Sequence, residues 1–551
     1  VRRIVVAGGD VADGTGAPLR PADVLIEGER VADVAPRGAL AGIDGAERID
    51  ASGRVVAPGF VDLHSHGDLI LALPDDELRR RLVAGRIAQG ITTEIVGNCG
   101  LGPVPLVREH AGALRGVLAW MTPGDFPWEW RTIEEYLALL ESRGVPLNVG
   151  TLAAHGALRV AEAGLARDLP SPDSLRALEG ALDAALEAGA FGMSLGLIYP
   201  PGSFTSTEEI APLAAVLARR DALLTAHVRG SSETLLDAVA EILSLGRAAG
   251  VRVHHSHSEA VGPAHWEKIP RVLAMEEAAR RGGVRATYDV FPYTAAATTM
   301  AAIYPPWGLQ GGIDALLARL EDPAARARLR RDVEGAAPAW PPWTETGWAH
   351  NLVRAAGWER ITVGTVGSEE GRWAEGLSLR ALGERAGRPP FEAVSDLMVA
   401  ERGRVSQIIH GISGEEGNDR GLVALLADPH GAVCTDANDT GRGLPHPAAY
   451  GTFPKVLGHF VRERRALGLP EAIRKMTSYP AAILGLPDRG VLRRGAAADL
   501  VVFDPAAVGS EASYRHPRRL PSGIDLVVIN GRRVWEGGRL LDAEAGRVLR
   551  R

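Results

Sequence analysis

The chain has 551 residues, enough for a large core with a satellite domain and too many for a minimal fold. Its 61 basic and 68 acidic residues leave a net charge of -7 with no basic stripe, which argues against nucleic acid or an anionic membrane surface as partner. No run approaches the ~20 apolar residues that cross a bilayer. Two cysteines, Cys99 and Cys434, cannot build a disulfide framework, so a reducing cytoplasm is the expected location.

In chain order, Val1-Arg2-Arg3-Ile4-Val5-Val6-Ala7-Gly8-Gly9 reads as a strand and turn, its apolar run being too short for a signal peptide. Residues 22–27 and 30–34, joined by Gly28-Glu29, read as a hairpin. The C-terminal end has the same texture, with apolar runs at 499–504 and 526–534 broken by turns. Both ends are therefore expected to form one small β domain, residues 1–57 and 485–551, around a middle of residues 58–484.

That middle alternates short apolar runs with amphipathic stretches. Residues 222–227 read as a strand, and Leu235, Leu236, Val239, Ile242 and Leu243 mark one face of a following helix. Gly250 ends it, and Val251-Arg252-Val253 begins a strand leading to His257. Such βαβ units imply parallel strands, and their repetition predicts an α/β fold of the (β/α)8 TIM-like barrel type. Active sites in that architecture lie at the C-terminal strand ends. Residues 301–358 break the rhythm with Pro- and Trp-rich segments and an arginine-rich helix. They read as an insertion, either a lid over the site or a packed surface subdomain.

The chemistry-bearing residues fall at strand ends. Val61-Asp62-Leu63-His64-Ser65-His66 closes an apolar strand with histidines at i and i+2, which a strand would turn to one face. Cys99 follows the strand 92–96, His227 and His257 stand 30 positions apart on neighbouring strands, and Asp436 ends 432–435. Imidazole, thiolate and carboxylate together suit zinc. Zinc lowers the pKa of bound water to ~7 and polarises a carbonyl, and Asp436 is placed to take a proton and pass it to a leaving amine. The implied reaction is metal-assisted hydrolysis of a C–N bond. Any one of these residues has an ordinary structural alternative: a hydrogen-bonded histidine, a buried thiol, a helix-capping aspartate. His255 shares the face of His257 and is the alternative ligand, and Cys434 reads as core.

The chain resembles the D-aminoacylase (N-acyl-D-amino-acid deacylase) family of the metal-dependent amidohydrolases. The resemblance runs nearly end to end. It is carried by Val11-Ala12-Asp13-Gly14-Thr15-Gly16, Pro58-Gly59-Phe60-Val61-Asp62-Leu63-His64-Ser65-His66, Gly97-Asn98-Cys99-Gly100, Ser194-Leu195-Gly196-Leu197-Ile198-Tyr199, Pro445-His446-Pro447, Tyr450-Gly451-Thr452-Phe453-Pro454 and Gly495-Ala496-Ala497-Ala498-Asp499-Leu500. It implies a barrel with a flanking β-sandwich, zinc, and hydrolysis of small-molecule N-acyl substrates. It also implies that Cys99, His227 and His257 hold a tight zinc, that His64 and His66 make a weaker second site, and that Asp436 is the catalytic acid/base. The only lysines are Lys268, Lys455 and Lys475, so the carboxylated lysine that bridges two metals in hydantoinases and dihydroorotases is missing from its usual strand. A cyclic-amide hydrolase or deaminase on the same barrel, and a non-catalytic metal-binding homologue, are the competing readings.

The substrate side departs from the family's pattern. Tyr199 matches a substrate tyrosine, but Glu259 stands where the resemblance implies a lysine, Ala296-Ala297 where it implies a serine, and Ala448 where it implies an arginine. Tyr199, Glu259, Arg442 and His446 are the candidate substrate contacts. Glu259 in place of a cation points to an N-acyl amine other than a standard N-acyl-D-amino acid, unless Arg229, Arg442 or Lys268 supplies the charge; alternatively, Glu259 is a solvated loop carboxylate.

Overall fold

Residues 223–255 show how the alternating pattern becomes a fold. The strand Leu223–His227 is buried along its whole length, as a strand covered on both faces must be. The helix Leu235–Ala249 buries Leu235, Val239, Ile242 and Leu243 on one stripe and stops at Gly250, whose φ of +69° a glycine adopts without steric cost. The chain returns as Arg252–His255, parallel to the first strand, with Leu224 opposite Val253 and Ala226 opposite His255. The predicted βαβ unit is present.

The same unit recurs through the computed structural model, which describes residues 2–124, 126–169, 171–344, 347–542 and 544–551. Val1 and Ala543 of the terminal segments, and Glu345 and Thr346 of the irregular stretch, thus lie outside the described residues. Six parallel strands pair in the order Gly431–Val433, Ala286–Val290, Arg252–His255, Leu223–His227, Gly192–Gly196, Ala153–Ala154. Phe60–Asp62, Ile91–Val96 and Asn148–Thr151 make a second parallel sheet. The two sheets meet at both edges through a few backbone bonds, Phe191 N–H to Thr151 O at 2.9 Å on one side, and Asp436 N–H to His64 O at 2.9 Å with His66 N–H to Ala437 O at 3.1 Å on the other. Among the described residues they are two α/β sheets and not one continuous ladder.

Strands from both termini interleave in one nine-stranded sheet, as the shared texture of the two ends predicts. The predicted hairpin is there, Arg20–Glu27 against Arg30–Pro36. Leu500–Phe503 joins the ends by pairing with Val55–Pro58. Asn530-Gly531, with φ of +48° and +74°, makes the tight turn between Ile524–Ile529 and Arg532–Glu536.

The irregular stretch 301–358 folds into the helices Pro306–Leu309, Gly312–Glu321, Pro323–Gly335 and Leu352–Ala356. It belongs to a larger unit bracketed by an antiparallel sheet of Ala295–Thr299, Ser406–His410 and Ile361–Val363. Tyr304, Leu316, Leu329, Phe391 and Val394 pack there as a core distinct from that of the parallel strands. No helix among the described residues is long and apolar enough to cross a membrane.

Candidate metal centre

Each predicted metal residue lies at or just past the C-terminal end of a parallel strand. His227 is the last residue of its strand, while His64, His66, Cys99, His257 and Asp436 sit in the turns that follow theirs. The histidine pair is therefore not on a strand face. Its strand stops at Asp62, and the two rings stand 5.5 Å apart at 71°. Cys99, His257 and Asp436 have φ of +53°, +35° and +47°, three of the eight non-glycine residues with positive φ among the described residues. That conformation is uncommon for non-glycine residues and persists where the surroundings enforce it, as at functional sites. One cause is visible at Cys99. Its carbonyl oxygen rests against Gly196, where an added Cβ would sit 1.8 Å away, so only glycine admits the loop.

The six side chains converge. Cys99 Sγ lies 3.2 Å from His64 Nε2 and 3.6 Å from His257 Nε2, and His257 Nε2 lies 2.7 Å from His227 Nδ1. Asp436 Oδ1 lies 3.1 Å from His64 Nε2 and 3.2 Å from His66 Nε2. Two donor groups result, Cys99–His227–His257 and His64–His66–Cys99–Asp436, each with its ligand atoms within 4.8 Å of one another.

The electrostatics set a thiolate and a carboxylate against the ring nitrogens. Burial disfavours a Cys99 thiolate, yet His64, His227 and His257 together hold the thiol well below its ordinary value. Burial likewise opposes the Asp436 carboxylate, and His64 and His66 outweigh it. Burial should keep His66 and His257 neutral. Asp436 and Cys99 instead raise His66 to about 9, and Cys99, Asp436 and Glu259 raise His257 to about 10. Burial and His257 push His227 down to about 4. A thiolate and a carboxylate thus face ring nitrogens at contact distance in a buried space. Thiolate, imidazole and carboxylate in that arrangement are the donor set that suits zinc.

Several residues that hold this centre were not singled out from the sequence. Asp289 is the penultimate residue of the strand Ala286–Val290 beneath the site. Its Oδ2 lies 3.1 Å from His64 Nδ1 and 2.9 Å from His254 Nε2, and its Oδ1 accepts from the His257 backbone N–H and from Cys434 Sγ at 3.3 Å. Burial would favour the protonated acid, but His64 and His254 keep Asp289 far below the carboxylate range. Asp62 accepts from the Thr435 backbone at 3.1 Å and its hydroxyl at 2.6 Å. Arg86 pairs with Glu94, donates to Ser65 Oγ at 2.5 Å and reaches Ala437 O at 3.4 Å, so one buried guanidinium ties the histidine turn to the Asp436 turn. The readable signal for Asp289 was its place: a carboxylate at a strand end, like Asp436.

A cavity of about 900 Å3 opens over the centre. Tyr199, Glu259 and His446 line it with His66, Cys99, His227, His257 and Asp436. The Tyr199 hydroxyl is 2.7 Å from Thr298 Oγ1, and its ring stands edge-on to His227 at 5.1 Å. Glu259 is buried. Its Oε1 is 4.0 Å from His257 Nδ1 and its Oε2 has no partner. Burial, and then Asp436, lift its carboxyl to about 7 against the pull of His257 and the Ser231 hydroxyl. His446 is spent on the backbone: Nε2 lies 2.9 Å from Ala295 O and Nδ1 accepts from Ala448 N–H at 3.1 Å. Arg442 is not brought to the cavity. It is exposed, bonds Gly367 O at 3.1 Å and lines a separate surface pocket. Of the crowded histidines, His257 meets Cys99, whereas His255 turns to Glu276 at 3.0 Å. Cys434 is buried below, where burial and Asp289 raise its thiol well above the ordinary range.

Residues 47–535 match the model of the Amidohydrolase family. The chain is 33% identical to an N-acyl-D-glutamate deacylase of Alcaligenes xylosoxydans xylosoxydans, covering all of this chain and 96% of that one. It is 30% identical to a D-aminoacylase of the same organism, covering all of this chain and 97% of that one. Among solved structures it resembles the N-acyl-D-glutamate deacylase from Bordetella bronchiseptica complexed with zinc and a phosphonate inhibitor, with a TM-score of 0.80 and 30% identity over all of this chain and 99% of that one. On the strength of its fold, its strand-end donor set and these full-length similarities, the chain belongs to the amidohydrolase family, in the branch of the D-aminoacylases.

Proposed function

We propose that this protein is a zinc-dependent amidohydrolase that hydrolyses the N-acyl amide bond of a small molecule. The carrying observation is the convergence of six strand-end donors under one cavity. Cys99, His227 and His257 would hold the tighter ion, and His64 and His66, with Asp436 between them, a weaker one. Bound there, zinc supplies Lewis acidity and a water of lowered pKa. The zinc-complexed deacylase of similar structure supports the choice of metal.

Asp436 is the general acid/base of this reading. Its neighbours His64 and His66 keep it deprotonated despite burial, so it can accept a proton at the cavity floor and return it to the departing nitrogen. Tyr199 borders the cavity beside His227 and offers its hydroxyl to the substrate. Glu259 is a further substrate contact, whereas His446 shapes the wall through its bonds to Ala295 and Ala448.

We read the eight parallel strand positions as one (β/α)8 barrel, with Asn148–Thr151 and Ala153–Ala154 taken as one strand interrupted at Leu152. Residues 58–484 would form this domain, with the insertion at about 301–358, while 1–57 and 485–551 fold as a β-sandwich. A buried free Cys99 suits a reducing compartment such as the cytoplasm.

The test is metal analysis of the purified chain together with amine release from a panel of linear N-acyl amides. Zinc in the protein, lost in Cys99→Ala, and amine release by the zinc-loaded enzyme are expected. Ring opening of cyclic amides with no action on linear ones would reject the reading.

A further inference from the structure

We propose that the amine half of the substrate carries no carboxylate and instead presents a hydroxyl or ammonium donor to Glu259. This rests on the amide-hydrolysis reading above and adds to it the class of amine released. Among the described residues, no lysine or arginine lines the cavity over the metal centre. Three carboxyl groups do: Asp436, Asp439 and Glu259. Asp436 is answered by His64 and His66. Asp439 is answered by Arg518, at 2.7 and 2.8 Å, and by the Tyr450 hydroxyl at 2.9 Å. Glu259 is answered by no Lys or Arg; the residue lines the cavity, its buried Oε2 has no hydrogen-bond partner, and the Ser231 hydroxyl is the neutral group that favours its carboxylate.

The cations that could have served lie outside this cavity. Arg229 is paired with Glu241 at 2.8 Å and bonded to Thr205 O at 2.6 Å; its Nη1 has no partner, but the residue lines a neighbouring cavity and not the one over the metal centre. Lys268 donates to the carbonyls of Ser232 and Glu233 at 2.7 and 2.8 Å. Arg442 lies outside, on Gly367 O. A substrate carboxylate would therefore enter a cavity with no guanidinium or ammonium to receive it, beside an acceptor already unmet. An anion left so unpaired is costly, and so is a buried acceptor without a donor. A hydroxyl or ammonium removes the second cost and avoids the first.

The test uses a matched pair differing only at this group, an N-acyl-D-alanine and the corresponding N-acyl-D-alaninol. Binding to the zinc-loaded Asp436→Asn chain is measured by calorimetry, so turnover does not enter. The alaninol amide should bind tighter by about tenfold or more. That margin should narrow in Glu259→Gln and reverse in Glu259→Lys. Equal or tighter binding of the D-alanine amide, or binding of neither, overturns the proposal. Hydrolysis by the unaltered enzyme is followed separately. A clear binding preference with no amine release would reject the reaction and keep the pocket assignment.

Discussion

Asp289 Oδ2 stands 3.1 Å from His64 Nδ1, on the side of the ring opposite the donor cluster. The contact fixes which nitrogen is free: Nε2 is left facing Cys99 Sγ at 3.2 Å and Asp436 Oδ1 at 3.1 Å. A carboxylate behind a ligating imidazole sets its tautomer and raises its basicity. Because Asp289 also holds His254 and the His257 backbone, one buried carboxylate aligns residues from two neighbouring strand ends, those of Phe60–Asp62 and Arg252–His255.

Asp289→Asn should keep the shape and remove the charge. Zinc affinity is expected to fall about 10- to 100-fold. Competition with a chelator of known affinity measures it. An unchanged affinity would show that Asp289 serves packing alone.

Asp436→Asn should separate chemistry from metal retention. Loss of the proton acceptor is expected to slow amine release about 100-fold or more. The Cys99–His227–His257 ion should remain in metal analysis, since those three donors are untouched. Near-normal turnover would remove Asp436 from the mechanism.

Gly196→Ala should destabilise the fold through the Cys99 loop. The added Cβ would fall 1.8 Å from the Cys99 carbonyl, a backbone atom that cannot rotate away. Overpacking of this kind costs about 1–3 kcal/mol or more. Gly180→Ala, on an exposed position of the helix Pro172–Glu187 with open space around it, should instead stabilise by about 0.5–1 kcal/mol. Urea unfolding of the two variants compares them, and equal midpoints would contradict the close approach at Gly196.

His155 should make stability acid-sensitive. Burial, then Arg159 and Arg229, push its pKa down from 6.5 to about 3. The unfolded chain therefore binds the proton that the folded chain refuses between those values. Stability from this source is complete above pH 6.5 and is lost as pH falls toward 3. The loss should reach about 2 kcal/mol by pH 5. Melting curves of the chain and of His155→Gln should diverge in pH dependence across this window. Parallel curves would mean that His155 titrates normally.

Much of the fold is legible because period and burial are local properties. The apolar run ending at His227, the stripe Leu235–Val239–Ile242 and the stop at Gly250 lie within one short stretch, and each maps onto an observed element. The shared texture of the two ends likewise becomes one sheet. What escaped are partnerships at long range. His64 and Asp289 are 225 positions apart, and no periodicity links them. The placing of the histidine pair on a strand face failed for a related reason. Asp62 turns the chain by bonding the backbone of Thr435, a residue 373 positions away.

By itself, the sequence determined the inventory: which residues can bind a metal, that each follows an apolar strand, and that lysine is nearly absent. Residue type and local hydrophobic rhythm are sufficient for that. Only the tertiary structure decided the assignments. His255 goes to Glu276 and His257 to Cys99, Arg229 pairs with Glu241, and Glu259 is left without a Lys or Arg at the cavity wall. A charge acquires its meaning from the neighbour that neutralises it, and folding alone chooses that neighbour.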